Sequence, residues 1–220
     1  TVMEIDEEFC KLIAETKKCF IIRLGLETGN EEFRKTVLNK PIPNQQYEKA
    51  IGLLNKYRIK YSMAIMLGLP GESLDYALET LNRCIELRSK RGIIAVNIFK
   101  PFPKLDITKY GVQICQYDKK LLEDENMIGD NVMNVYDCLR QDEEGKQILM
   151  LSRFSYLYVY FPMLRNLIVN KLIKKQDNGV YRAIWKYTEA FYTLRHHVNS
   201  SWFSLFKIAI IHSDKQVRGA

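Results

Sequence analysis

Three short apolar runs, each ending in an abrupt change of chemistry, constrain this chain more than any other feature. They occupy residues 19–26, 60–67 and 93–99. Each has the length of a strand and is apolar enough to be buried on both faces, as strands of a parallel sheet are. Helical spacing fills the gaps. Asp6 caps a helix carrying Phe9, Leu12 and Ile13 that ends near Lys17 and Lys18. Residues 31–39 read as a short helix broken by Pro41 and Pro43. Asn44 opens a helix to about Tyr57 with Tyr47, Ala50, Ile51 and Leu54 on one face. Another begins at Ser73 or Leu74 and runs to about Arg88. The alternation predicts an α/β layer of parallel strands joined by helical crossovers. Three strands are too few to close a barrel and leave an exposed edge, and the chain starts at Thr1 rather than Met. The expectation is that an amino-terminal part of the layer lies upstream.

A length of 220 residues allows one large domain, or a domain with an appendage. Charge favours the second arrangement. The net charge is +7, yet residues 153–220 hold 11 basic and 3 acidic residues, so all of the excess lies there. Residues 1–110 are read as the α/β core, 111–145 as a polar connection with a helix near 119–125, and 146–220 as a helical tail. The tail's helices are expected over 146–175, 180–197 and 202–212, with Pro162 kinking the first. Its aromatic residues (Phe154, Tyr156, Tyr158, Tyr160, Phe161, Trp185) lie among Arg153, Arg165, Lys171 and Lys174. Such a mixture either packs on the core with lysines reaching solvent, or lies on a membrane surface. Packing is the better reading, and nucleic acid ranks behind both. No apolar run is long enough to span a bilayer.

Five cysteines, Cys10, Cys19, Cys84, Cys115 and Cys138, show no close pair and no CxxC or CxxxCxxC spacing. The odd count and the lack of a secretory pattern point to free thiols in a cytoplasmic setting. His196, His197 and His212 have no spacing that would gather them round a metal.

Ligands of α/β layers sit at the carboxyl ends of the strands, so the strand ends carry the functional signal. The first run ends in Glu27-Thr28-Gly29-Asn30. Glu27 there can accept hydrogen bonds from a diol or amine, or it can cap the next helix or pair with Lys35. The second ends in Gly68-Leu69-Pro70-Gly71-Glu72, either a tight turn or a backbone surface open to a flat ligand. Glu72 and Asp75 are assigned to the dipole of the following helix and to nothing else. The third ends in Phe99-Lys100-Pro101-Phe102-Pro103, a wall for a planar base or a rigid strand exit.

Taken in order, these strings resemble the carboxyl-terminal half of a radical S-adenosylmethionine (SAM) core domain. The likeness is greatest to the cobalamin-binding-type branch, with its GxESGxE, LN[RK], GLPGE and F-x-P-x-P strings. Here they read Gly25-Leu26-Glu27-Thr28-Gly29-Asn30-Glu31, Leu38-Asn39-Lys40, Gly68-Leu69-Pro70-Gly71-Glu72 and Phe99-Lys100-Pro101-Phe102-Pro103. The resemblance implies a partial (β/α)6 barrel of which this chain holds the last three strands. It implies that Glu27 holds the SAM ribose, with Thr28 and Gly29 shaping the loop. It places Lys40 near the SAM carboxylate, where relatives commonly carry Arg. Gly68, Leu69 and Pro70, with Phe99 and Pro101, would border the adenine. The intact protein would use a 4Fe-4S cluster to make a 5′-deoxyadenosyl radical for C–H modification or methyl transfer, with cobalamin as a further cofactor. The cluster motif and the cobalamin domain are absent from the chain, so its partner would be the missing half of its own barrel, and alone it should be inactive. The competing readings are another α/β nucleotide-binding enzyme and a membrane-surface module acting through the tail.

Overall fold

The computed structural model describes residues 2–16, 19, 21–122, 140 and 142–197. Strands β1 (Ile22–Glu27), β2 (Tyr61–Leu67) and β3 (Gly92–Ile98) form one parallel sheet in that order. Helix α1 (Glu7–Thr16) precedes β1. Helices α2 (Glu31–Thr36) and α3 (Asn44–Lys56) join β1 to β2, and α4 (Leu74–Leu87) joins β2 to β3. Side-chain caps explain where several of them start. Asp6 Oδ1 accepts from Phe9 N at 2.8 Å, and Ser73 Oγ accepts from Tyr76 N at 3.2 Å. Asn44 behaves differently, because the cap of α3 is Pro43 and the Asn44 side chain is used elsewhere.

Period-two alternation sorts the sheet's two faces. Leu24 and Leu26, Met63, Ile65 and Leu67, and Ile94 and Val96 are all buried in the main core. Against them pack Tyr47, Ala50 and Leu54 of α3 and Ala77, Leu81 and Cys84 of α4. The opposite face carries Arg23 and Gly25, Ser62, Ala64 and Met66, and Ala95 and Asn97. There Gly25, Ala64 and Ala95 are in register across all three strands. That face is floored by the smallest side chains available.

The remaining elements depart from expectation in instructive ways. Residues 106–113 form a helix, α5 (Asp106–Gln113), which the polar composition had concealed. Within it Gly111 lies so close to the Tyr117 ring that a Cβ would overlap it. The helix expected at 119–125 is a 3-10 turn over Lys119–Leu122. The first tail helix starts earlier than expected, because Asp142 Oδ1 accepts from Gly145 N at 3.1 Å and caps α6 (Glu143–Arg153). It then breaks at Phe154 before reaching Pro162, giving α7 (Ser155–Tyr160) and α8 (Arg165–Asn170). Serine hydroxyls accompany the first break: Ser152 donates to Leu149 O at 2.6 Å and Ser155 to Ser152 O at 2.8 Å. Such local bonds compete with the helix ladder. Helix α9 (Gly179–His197) follows, while the helix expected over 202–212, Cys138 and His212 lie outside the described residues.

Several aromatic residues of the described part of the tail are turned inward. Phe154, Tyr156 and Tyr158 are buried, and Tyr160 stacks on Tyr192 of α9 with ring centroids 3.8 Å apart. Because Phe99 N donates to Leu67 O, the alternating groups of Ile94 and Val96 face the outer edge of β3. The Tyr156 hydroxyl donates to Ile94 O there at 3.3 Å, so this side of the sheet is capped by phenols. Among the described residues no helix is long and apolar enough to cross a membrane.

Candidate functional site

Strand β1 ends in a conformation that glutamate seldom adopts. Glu27 has φ 62°, in the left-handed region that costs a residue with a Cβ about 1 kcal/mol. The pairing with β2 also slips between Gly25 and Glu27. Together these turn the Glu27 carboxylate back across the small-residue face. A Cβ on Gly25 would overlap Glu27 Oε1 and lie 3.2 Å from Lys40 Nζ, so glycine there is a clearance. Lys40 Nζ donates to Gly25 O at 2.7 Å and pairs with Glu27 Oε1 at 3.2 Å. Tyr47 OH donates to the same carbonyl at 2.9 Å, and burial raises the Tyr47 pKa. The Lys40 and Glu27 side chains remain 32% and 23% exposed, so the carboxylate keeps acceptor capacity for a ligand. Neither sequence alternative for Glu27 is seen: Asn30 Oδ1 caps α2 at Phe33 N, and the lysine paired with it is Lys40.

Behind Glu27 the loop is pinned from two sides. Thr80 Oγ1 donates to Tyr76 O at 2.9 Å, which spends its single proton. It therefore accepts from Thr28 Oγ1 at 3.1 Å and from Gly29 N at 2.8 Å. Gly29 packs so tightly on α4 that a Cβ would sit 2.7 Å from Thr80 Cα. From the other side comes Arg34, which is fully buried. Its guanidinium donates to Thr28 O at 2.6 Å, Ile42 O at 2.7 Å and Asn44 Oδ1 at 2.6 Å, and lies over the Tyr47 ring. One side chain thus ties the Glu27 loop to the segment that delivers Lys40. Burial lowers the Arg34 pKa, and the acceptors around the guanidinium are carbonyl oxygens. Sequence pattern gave it no role, because a lone arginine in a short charged helix looks solvated.

The Gly68–Glu72 turn stands at the adjacent strand end. Gly68 and Gly71 take φ 80° and 77°, which only glycine adopts freely. Leu69 and Pro70 are buried, and Gly71 N donates to Gln116 Oε1 at 2.8 Å. Glu72 overturns its sequence assignment. It lies outside α4 and is 1% exposed, with Oε2 accepting from Gly68 N at 2.6 Å and Leu69 N at 3.2 Å. Burial pushes its pKa up to about 8, against the pull of those two amides and of the Arg140 guanidinium. Arg140 in turn donates to Glu72 O. A carboxylate four residues after a turn glycine is the sequence signal for such a clasp.

Phe99 is buried with Leu69, Phe33 and Tyr117 in a second, smaller apolar cluster, with Met66 packed at its margin. Pro101 is buried as well, and Phe102 is 44% exposed. The third strand exit is therefore packed, and its aromatic side chain braces the Gly68–Glu72 turn. Beside β1 runs a groove of about 380 Å³ lined by Ile5, Phe9, Arg23, Gly25, Lys40 and Tyr47 among others.

Residues 1–84 match the family model of the radical SAM superfamily. That span takes in Glu27, Lys40 and the Gly68–Glu72 turn, and ends inside α4. An uncharacterized protein of Methanocaldococcus jannaschii is 27% identical over 115 residues. The match takes in 52% of this chain and 23% of that relative, so the chain spans less than a quarter of the relative's length. The α/β architecture with a three-stranded parallel sheet is consistent with part of a radical SAM barrel.

Among the described residues no group of three His, Cys, Asp or Glu could hold a metal ion. Cys10, Cys19, Cys84 and Cys115 are free thiols, two of them buried, and burial pushes Cys84 up to about 12. A thiol with so high a pKa is a poor metal ligand.

Proposed function

We propose that this chain forms the adenosine-holding part of a radical SAM enzyme whose barrel has this sheet as its last three strands. One observation carries the reading: a partly exposed carboxylate, Glu27, is held by Lys40 over a floor of Gly25, Ala64 and Ala95. Glu27 would accept from the ribose hydroxyls, which present two donors to a group with several acceptor sites. Lys40 keeps that carboxylate in place and directs the remainder of its charge toward the amino-acid end of SAM. Thr28 and Gly29 fix the loop from behind. The backbone of Gly68, Leu69 and Pro70, braced by Phe99 and Pro101, borders the base.

A 4Fe-4S cluster, where bound, supplies the electron that cleaves SAM. The described cysteines do not fit it, so in this reading the cluster and its side of the barrel lie outside this chain, and the chain alone does not cleave SAM. Cobalamin and methyl transfer rest on the motif likeness of the branch, and C–H modification is the coarser alternative. The strand order argues against an unrelated nucleotide-binding fold, since it places Glu27 and the Gly68 turn on adjacent strands. The inward packing of the described tail aromatics argues against a membrane-surface module.

Equilibrium dialysis of labelled SAM tests the proposal. Saturable binding should weaken about tenfold or more in Glu27→Gln, the range for a hydrogen bond to a charged group. Absence of saturable binding, or equal affinity in the variant, overturns it.

A further inference from the structure

One buried side chain ties the carboxyl-terminal third of the chain to the Gly68–Glu72 turn. Arg140 lies in the stretch read from sequence as a polar connection, yet it is 4% exposed. Its Nη1 donates to Glu72 O and, at 3.5 Å, to Leu69 O. Leu69 O is also the acceptor for Glu72 N at 3.0 Å, the bond that closes the turn. The other nitrogens face the tail. Nε donates to Asp142 Oδ1 at 3.1 Å and Nη2 to Asp142 Oδ2 at 2.5 Å, the two-toothed pairing that fixes a guanidinium in orientation as well as place.

Asp142 is at the same time the cap of α6, so the start of that helix is built on the residue that holds Arg140. Glu144, in the first turn of α6, adds a second bridge, its Oε1 accepting from Leu74 N at 3.1 Å where α4 begins. Gly145 makes room for the arrangement: a Cβ there would lie 2.4 Å from Arg140 Cβ and 2.6 Å from Asp142 Oδ1. Turn, Arg140 and the start of α6 are thus one hydrogen-bonded unit. If the turn and α6 separate, the guanidinium loses one set of acceptors and is left a buried cation without them, which favours keeping the two together.

We propose that Arg140 is a positioning residue that couples occupancy of the Gly68–Glu72 turn to docking of α6, so that bound SAM tightens the tail. This rests on the SAM reading above and extends it to a helix beyond the span of the family match. A ligand lying against the backbone of Gly68, Leu69 and Pro70 favours the closed turn over an open one. Through Arg140 the same preference reaches α6, and reciprocally a docked α6 strengthens SAM binding.

Amide hydrogen exchange of the full chain, measured with and without saturating SAM and beside SAM affinity from dialysis, tests this. In wild type SAM should slow exchange at residues 143–146 as well as 68–72, by about fivefold or more, the lower end of coupling between sites. Arg140→Met should lose the response at 143–146 and bind SAM about fivefold or more weakly. Asp142→Asn makes the same test without stripping the turn of its buried cation. Asparagine caps a helix as well as aspartate does but cannot form the charged pair, so the response at 143–146 should fall while α6 keeps its cap. A brace without coupling would slow no α6 amide on addition of SAM. If wild type binds SAM and residues 143–146 exchange equally with and without it, or the response persists in both variants, Arg140 couples nothing although the SAM reading stands. If wild type shows no saturable SAM binding, the SAM reading itself fails, and the inference with it.

Discussion

Glu72 offers the sharpest test of how the Gly68–Glu72 turn is held. In the unfolded chain this carboxyl ionises near the ordinary 4.5, whereas burial in the fold pushes it up to about 8. The folded state therefore binds the extra proton between those two values. Stability attributable to Glu72 is full below about pH 4.5 and falls as pH rises toward 8. At about 1.4 kcal/mol per pH unit, the whole interval amounts to roughly 5 kcal/mol. Glu72→Gln keeps an acceptor for Gly68 N and Leu69 N but has nothing to titrate. Urea unfolding of both proteins at several pH values between 5 and 8, followed by circular dichroism, isolates the effect, because every other group titrates alike in the two. Wild-type stability should fall relative to the variant by about 1 kcal/mol or more per pH unit. Parallel curves would refute the buried, proton-holding carboxyl. A wild type that gains on the variant as pH rises would show instead that the amides and Arg140 dominate over burial.

Two further substitutions probe the loop that carries Glu27. Arg34→Met leaves Thr28 O, Ile42 O and Asn44 Oδ1 without their buried donor, and should cost about 3–5 kcal/mol in denaturant unfolding. A loss below about 1 kcal/mol would mean that solvent reaches those oxygens. Gly29→Ala drives a methyl into the α4 backbone at Thr80, and a loss of about 1–3 kcal/mol is expected in a thermal melt. An unchanged melting temperature would show that the loop and α4 separate easily.

The sheet was legible in the sequence because its signal is local. Apolar runs of strand length alternate with helical periodicity, and Asp6 and Ser73 sit where helix starts were read. Glycine and proline marked the Gly68–Glu72 turn for the same reason, since backbone conformation constrains residue type one position at a time. The first strand end also named Glu27 as a polar residue worth attention, whereas Lys40 was named only by the family likeness. Helix α5 escaped because Gly111 and a polar sequence hide a short amphipathic helix, and the break at Phe154 escaped because serine back-bonding leaves no strong composition signal.

Tertiary structure decided everything that depends on which distant groups meet. Pairing of Glu27 with Lys40, thirteen residues away, needs both the bulge at β1 and the guanidinium of Arg34 to bring the two segments together. The same is true of Glu72, whose proton affinity is set by burial beneath Arg140 rather than by its neighbours in sequence. Sequence fixes periodicity and turn chemistry, which act within a few residues. Hydrogen-bond partners, desolvation and the alignment of Gly25, Ala64 and Ala95 follow from packing and strand register, and those exist only once the chain has folded.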